Sequence, residues 1–293
     1  MINTFLSLPN EQTDLATARF VILPVPYEGT VCFESGTARG PQAILDVSDQ
    51  MEHIDEETLC LFAKNGIATL PPLDLPTEPD QALNEIYRVV RDEDLFRPGR
   101  FPIVLGGEHS ISAPVIRRAA EVYSDLSILQ FDAHSDLRDT FTPGGKLSHA
   151  CVMRRMLEMT PQPKLVQVGI RSFSELDPVE CPEQVKRFVT PTMLEDNFEG
   201  SLARILDSLT KNVYITFDLD GLDPSIAPGV GTPEPGGLTW RQAVRIIRAV
   251  SQAKRVVGAD VVETLPLSGE IVTEYIAARL VAKFMTYNQE DRV

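Results

Sequence analysis

The sequence predicts an α/β protein built around a parallel sheet. About eight short runs rich in Val, Ile, Leu and Phe are spread along the chain with little polar alternation, as parallel strands buried on both faces require. Segments of helical periodicity lie between most of these runs, so each strand is expected to rejoin the sheet through a right-handed crossover. A third observation concerns function. Acids and histidines cluster just after the runs, at the carboxyl ends of strands where α/β proteins gather their functional groups. Closed barrels and open sheets share that property, and periodicity does not separate the two.

In chain order, strands are expected at 20–25, 67–70, 102–106, 127–132, 165–169, 187–190, 212–218 and 255–262, each a short β-branched or aromatic run. Helices are expected at 41–53, 79–96, 114–123, 202–209, 240–251 and 272–285, from apolar residues recurring on one face. Thr239 and Gln242, three residues apart, form a capping box ahead of the helix at 240. Glycine pairs at 106–107 and 236–237 let the backbone approach a crowded centre. No low-complexity linker or internal repeat divides the 293 residues, so a single domain over 1–293 is expected.

A net charge of −15 excludes nucleic acid and anionic membranes as partners. It suits a cationic substrate, although charge of this size also serves solubility alone. No apolar run approaches 18 residues, and the N-terminus lacks a basic region followed by an apolar stretch, so neither a membrane span nor a signal peptide is expected. Cys32, Cys60, Cys151 and Cys181 are scattered and form no C-x-x-C pair, which fits reduced thiols in the cytoplasm.

The run Tyr214-Ile-Thr-Phe-Asp-Leu-Asp-Gly-Leu-Asp-Pro224 ends a strand in Asp218 and Asp220. Residues two apart in a strand share a face at roughly 6.6 Å. Two buried carboxylates so close need a cation. A second cluster, Asp132-Ala-His-Ser-Asp136, follows Ser127-Ile-Leu-Gln-Phe131. Fully extended, Asp132 and Asp136 would lie about 13 Å apart, too far to share one ion, so the strand must end near Asp132 and the chain must turn. Of the four histidines, His109, His134 and His149 follow strands or neighbour acids, whereas His53 reads as surface. Asp132, Asp136, Asp218, Asp220, His109 and His134 give four carboxylates and two imidazoles without a thiolate, a set that favours Mn(II), with Ni, Co or Fe as alternatives. Two such ions lower the pKa of a shared water towards ~7.

These stretches resemble the ureohydrolase (arginase/agmatinase) family, most of all bacterial and archaeal agmatinases. The resemblance rests on Gly106-Gly-Glu-His-Ser110, Asp132-Ala-His-Ser-Asp136, Ser148-His-Ala-Cys151, Phe217-Asp-Leu-Asp-Gly-Leu-Asp-Pro224, Gly231-Thr-Pro-Glu-Pro-Gly-Gly-Leu-Thr239 and Asp260-Val-Val-Glu263. Val25-Pro-Tyr-Glu-Gly-Thr30 and Gly40-Pro-Gln-Ala-Ile44 also fit, and the likeness runs from about residue 19 to residue 285. It implies a three-layer α/β/α sandwich around a parallel sheet of about eight strands. It also implies two Mn(II) ions per subunit, hydrolysis of a guanidino group to an amine and urea, and a trimer or hexamer. One ion would take His109, Asp132, Asp136 and Asp218, the other Asp132, His134, Asp218 and Asp220. His149 matches the family's proton shuttle and Glu263 the acid that pairs with the guanidinium. Thr232 is a substrate-positioning candidate, and Asp136 counts among the catalytic groups as well as the ligands.

Segment 137–148 lacks the serine- and asparagine-containing pattern with which arginases hold the amino-acid end of arginine, so agmatine is the expected substrate. Arg138 and Lys146 in that segment would instead suit a carboxylate tail such as guanidinobutyrate. Two other readings fit less well. A metallophosphatase would need a GNH-type motif and a related deacetylase a His-His pair, and neither is present. A catalytically silent binding or scaffold relative would be expected to have lost a ligand, and all six family ligands remain.

Overall fold

The structure, a computed structural model, describes residues 4–180, 182–185 and 188–289. Seven apolar runs form strands β1 (Phe20–Val25), β2 (Ile67–Thr69), β3 (Phe101–Gly106), β4 (Leu126–Phe131), β5 (Lys164–Val168), β6 (Asn212–Asp218) and β7 (Arg255–Val262). They make one sheet, ordered β2-β1-β3-β7-β6-β4-β5, in which every pairing is parallel. The sheet is open, with β2 and β5 at its edges. The run expected at 187–190 contributes only an isolated parallel bridge, Val189 to Val168. Its strand stops there because Pro191 opens a helix capped by the Thr190 side chain. Arg187 lies outside the described residues.

The helices are α1 (Gly40–Ser48), α2 (Pro79–Asp92), α3 (Ser112–Val122), α4 (Val152–Leu157), α5 (Asp177–Glu180), α6 (Pro182–Val185), α7 (Pro191–Asp196), α8 (Phe198–Ser208), α9 (Trp240–Ala253) and α10 (Val272–Tyr287). Four of them, α4 to α7, are too short to leave a periodic signature in the sequence. The capping box expected at Thr239 is complete, with hydroxyl and amide each satisfying the other's backbone N–H. His53 lies beyond the end of α1, its ring 6.3 Å from that of Phe62.

Alternate strand residues face opposite layers, so the sheet is apolar on both sides. One face, including Phe20, Ile103, Leu129 and Phe217, packs against Ile44 of α1, Ile205 of α8, Ile247 of α9 and Leu280 of α10. The other, including Val21, Val104 and Ile128, packs against Ile86 of α2, Ile116 of α3 and Met153 of α4. The three-layer α/β/α sandwich implied by the family resemblance is thus present. Among the described residues no helix is long and apolar enough to cross a membrane, and Cys32, Cys60 and Cys151 are free thiols. Cys181 lies outside the described residues.

Candidate metal centre and active site

Strand register does the first part of the positioning. Phe131 of β4 pairs with Phe217 of β6, and their rings stack at 4.7 Å. Asp132 and Asp218 therefore leave the sheet side by side. Asp218 pairs with Val262 of β7, which brings Glu263 alongside. From β3, Gly106 and Gly107 turn the chain into a 3-10 turn at His109–Ile111. A Cβ on Gly107 would sit 2.0 Å from the Tyr27 carbonyl oxygen, so only glycine permits this approach. Consecutive strands β3 and β4 are separated in the sheet by β7 and β6. The site thus occupies the carboxyl-end crevice where strand order breaks.

His109 Nδ1 lies 3.1 Å from Asp132 Oδ2, 3.0 Å from Asp136 Oδ2 and 3.4 Å from Asp218 Oδ2. His134 Nδ1 lies 2.9 Å from Asp220 Oδ2 and 3.7 Å from Asp132 Oδ1. Two groups of donor atoms result, His109–Asp132–Asp218 and Asp132–His134–Asp220, with Asp132 common to both. Asp218 joins only the first group; its Oδ1 accepts the Asp220 backbone N–H at 2.9 Å. Asp136 reaches His109 because the chain turns as expected, through a left-handed φ of 52° at Asp136 itself. Glu263 is also left-handed, at 60°. Non-glycine residues held there carry backbone strain of order 1–3 kcal/mol, as functional positions often do.

The donor set fits a cation. Thr216 Oγ1 has one proton, and it points to Asp260 Oδ1 at 2.6 Å. Towards His109 Nε2, 2.8 Å away, that oxygen can only accept. The His109 ring proton is thereby fixed on Nε2, and its Nδ1 lone pair faces three carboxylates with no hydrogen-bond partner. Such an orphaned buried acceptor needs a positive centre. Burial and charge crowding act on the same groups. Burial, then Asp220 and Asp132, raises the Asp218 pKa well above the ordinary carboxylate range. Burial and Asp132 raise Asp136 to about 6. Burial disfavours protonated His134, but Asp220 and Asp132 outweigh it and raise its pKa to about 12.

His109, Asp132, His134, Asp136, His149, Asp218, Asp220, Thr232 and Glu263 all line one cleft of ≈ 260 Å³. Glu263 Oε1 accepts the His109 backbone N–H at 2.7 Å. Burial, then Glu108, raises the Glu263 pKa well above the usual value. Thr232 donates to Asp220 Oδ2 at 3.2 Å, so its hydroxyl proton is directed at that carboxylate. His149 is held by Thr30 on its Nδ1 side and meets Cys32 Sγ at 3.7 Å on its Nε2 side. Burial pushes its pKa down to about 4. The two cations of segment 137–148 part company. Arg138 lines the cleft with its guanidinium 4.9 Å from the Phe141 ring centroid, while Lys146 lies outside it, 3.6 Å from Asp139.

The model of the Arginase family matches residues 18–287. The chain belongs to the arginase family. An N(1)-aminopropylagmatine ureohydrolase of Synechocystis is 37% identical over 280 residues, covering 94% of this chain and 90% of the relative. An agmatinase of Pyrococcus horikoshii is 30% identical over 250 residues, 85% of each chain. Among solved structures, the agmatine ureohydrolase of Thermoplasma volcanium superposes with a TM-score of 0.84 at 28% identity, over 98% of this chain and 94% of that one. The protein is therefore a ureohydrolase, a hydrolase of C–N bonds in a family of binuclear metal enzymes that act on small guanidino substrates.

Sequence reading missed the residues that hold this ureohydrolase's site in shape. Gln130 donates to Asp132 Oδ2 at 2.7 Å, Gln167 to Gln130 at 2.6 Å and Gln184 to Gln167 at 2.9 Å, all buried. Asp260 accepts from Tyr214 at 2.9 Å as well as from Thr216. A signal existed: Gln130, Gln167, Thr216 and Asp260 are polar residues inside otherwise apolar strands, and buried polar groups must have partners.

Proposed function

We propose that this ureohydrolase releases urea from a linear guanidino compound with a cationic tail, agmatine or its N(1)-aminopropyl derivative, using two Mn(II) ions. The observation that carries the reading is the convergence in one cleft of two ligand groups sharing Asp132 with Glu263 and His149. His109, Asp132, Asp136 and Asp218 would hold one ion. His134, Asp220 and Asp132 would hold the other, to which the family resemblance adds Asp218. When bound, such a pair supplies a water that loses its proton near neutral pH.

The remaining steps belong to the chain. A guanidinium is resonance-stabilised and always charged, and Glu263 meets it with a buried carboxylate. One oxygen of that carboxylate is tethered to the His109 N–H, so the other is free to face the substrate. A guanidinium seated against Glu263 favours its ionised form, so the carboxylate selects charged over neutral ligands. His149 is neutral at pH 7 because burial holds its pKa down. Its Nε2 takes a proton released on attack and delivers it to the leaving amine nitrogen as the C–N bond breaks. Thr232 braces Asp220 at the cleft wall.

Agmatine is the substrate expected from the family motifs, and agmatinases are among the relatives. The aminopropyl derivative gains support from relatives of that name in Synechocystis and in Thermus thermophilus, at 37% and 38% identity. Exposed Phe33 and Phe173 with Glu34 at the cleft mouth suit a further ammonium group by cation–π contact and charge. The reading extends to one domain over residues 1–293, assembled as a trimer or hexamer in the cytoplasm, from the family resemblance and the cysteine pattern.

The test is urea release by Mn(II)-loaded protein from agmatine, aminopropylagmatine, arginine and guanidinobutyrate, with Ni(II) loading in parallel. Higher kcat/KM for the two amines is expected. No urea from any substrate refutes the reaction. A preference for guanidinobutyrate or arginine refutes the cationic tail and assigns Arg138 to a carboxylate.

A further inference from the structure

His149 is the one histidine of the cleft that no ligand group claims, and its orientation is set by residues far away in sequence. Thr30 Oγ1 lies 3.2 Å from His149 Nδ1 and accepts the His149 backbone N–H at 3.0 Å. Thr30 is itself fully buried. Its single hydroxyl proton goes to Glu108 Oε1 at 2.7 Å, and its backbone N–H goes to Glu108 Oε2 at 2.6 Å. Ser110 donates to Glu108 Oε1 as well, at 2.5 Å. Three hydrogen bonds thus converge on the Glu108 carboxyl, whose pKa burial raises and these donors oppose; as a carboxylate it only accepts, which fixes the direction of the Thr30 hydroxyl.

With that proton committed, Thr30 can only accept from the His149 ring, and it is the nearer of the two hydroxyls at Nδ1, Ser148 Oγ lying 3.4 Å away. The ring proton therefore sits on Nδ1, and the lone pair sits on Nε2 on the side of Cys32 and the cleft. We propose that Thr30, oriented by Glu108, is a positioning residue that fixes His149 in the tautomer able to take a proton at Nε2. The proposal rests on the proton-carrier reading of His149 given above. The same side chain also fixes the loop around His149. Its methyl leaves no room for a side chain at residue 144, where a Cβ on Gly144 would lie 2.4 Å from Thr30 Cγ2, and Phe141 of that loop meets the His149 ring edge-on at 5.9 Å. Hydroxyl and methyl thus align the ring from two directions. An imidazole orienter of this kind works by tautomer, as a hydrogen bond to one ring nitrogen decides what the other does.

The experiment uses protein labelled with 15N-histidine, which has only four histidines to assign. The His149 signals are identified by their loss in His149→Asn. In metal-free wild type at pH 7.5, His149 Nδ1 is expected at the protonated and Nε2 at the unprotonated nitrogen shift. Thr30→Ser keeps this pattern, and the near-isosteric Thr30→Val moves both shifts towards the opposite tautomer. In the loaded enzyme, Thr30→Val lowers kcat about 10²-fold, the lower end of what positioned proton transfer contributes, with KM little changed, and Thr30→Ser restores most of it. A Thr30→Val protein with wild-type shifts, or a Thr30→Ser protein as slow as Thr30→Val, overturns the positioning role. Undiminished turnover in His149→Asn overturns the proton-carrier reading, and the catalytic consequence falls with it. Slow His149→Asn turnover with unmoved shifts in Thr30→Val overturns the positioning role alone.

Discussion

Asp218→Ala is expected to lose both metal and activity, whereas His149→Ala loses activity and keeps the metal. Asp218 is fully buried and its Oδ2 lies 3.4 Å from His109 Nδ1, an acceptor without a hydrogen-bond partner. Truncating it removes one ligand of the His109 group and leaves that imidazole with two carboxylates. Charge stabilisation by a metal at a developing anion is worth several kcal/mol, so the loss in kcat is expected at about 10³-fold or more. His149 contributes no atom to either ligand group, and removing it costs a proton-transfer factor of about 10²–10⁴. Metal content by elemental analysis separates the two. So does thermal unfolding with and without added Mn(II), because a ligand stabilises only a fold that binds it. Equal metal loss in both variants would contradict the roles assigned.

Lys283→Met is expected to destabilise the fold by about 3–5 kcal/mol at pH 7, the usual cost of breaking a buried charge pair from one side. Lys283, on α10, is wholly buried. Its Nζ lies 2.6 Å from Asp55 Oδ2, 3.0 Å from Glu56 Oε1 and 3.8 Å from Glu57 Oε1. Tyr287, one turn later, donates to Glu57 Oε2 at 2.6 Å. Lys283 thus ties the acidic segment around Asp55 to the last helix, beside Arg279, which pairs with Glu56 at 2.8 Å, and methionine at 283 would leave the buried Asp55 carboxylate unpaired.

The pH dependence has a definite sign. Burial raises the Asp55 pKa, but the bond and charge of Lys283, with bonds from Thr58, outweigh it, so the folded value lies below the ordinary one. A depressed carboxylate stabilises the fold fully above its unfolded pKa, about 3.9, and loses that contribution as pH falls through the folded value. In Lys283→Met burial is no longer opposed by that charge and raises the Asp55 pKa instead, so the gap between wild type and variant should narrow as pH falls from 7 and keep narrowing through the ordinary carboxylate range. Urea unfolding across that range is the measurement. A gap under about 1 kcal/mol at pH 7, or one that widens in acid, would refute the assignment.

The six metal-ligand candidates were legible because their chemistry is local. Asp132, His134 and Asp136 lie within five residues, Asp218 and Asp220 within three, and His109 three residues after the run 102–106, and each follows an apolar strand that must end at the sheet's carboxyl edge. His149 and Glu263 were legible through the family motifs rather than through spacing. The helices α4 to α7 were not, since their few turns carry too little periodicity. The eighth strand was over-read at 187–190, where Pro191 and the Thr190 cap redirect the chain after one bridge.

Alternating apolar strands and amphipathic helices were thus enough, by themselves, to determine an α/β protein, and acids at strand ends were enough to call for cations. Both follow from short-range rules of burial and charge repulsion. The tertiary structure decided what those rules leave open: an open sheet of seven strands, the pairing of Phe131 with Phe217 that sets Asp132 beside Asp218, and the tautomers of His109 and His149. Each tautomer depends on a hydroxyl more than a hundred residues away, Thr216 for His109 and Thr30 for His149. A hydroxyl proton can be donated only once, so its direction is settled by the partner folded against its other side, Asp260 in one case and Glu108 in the other. No local pattern records that partner.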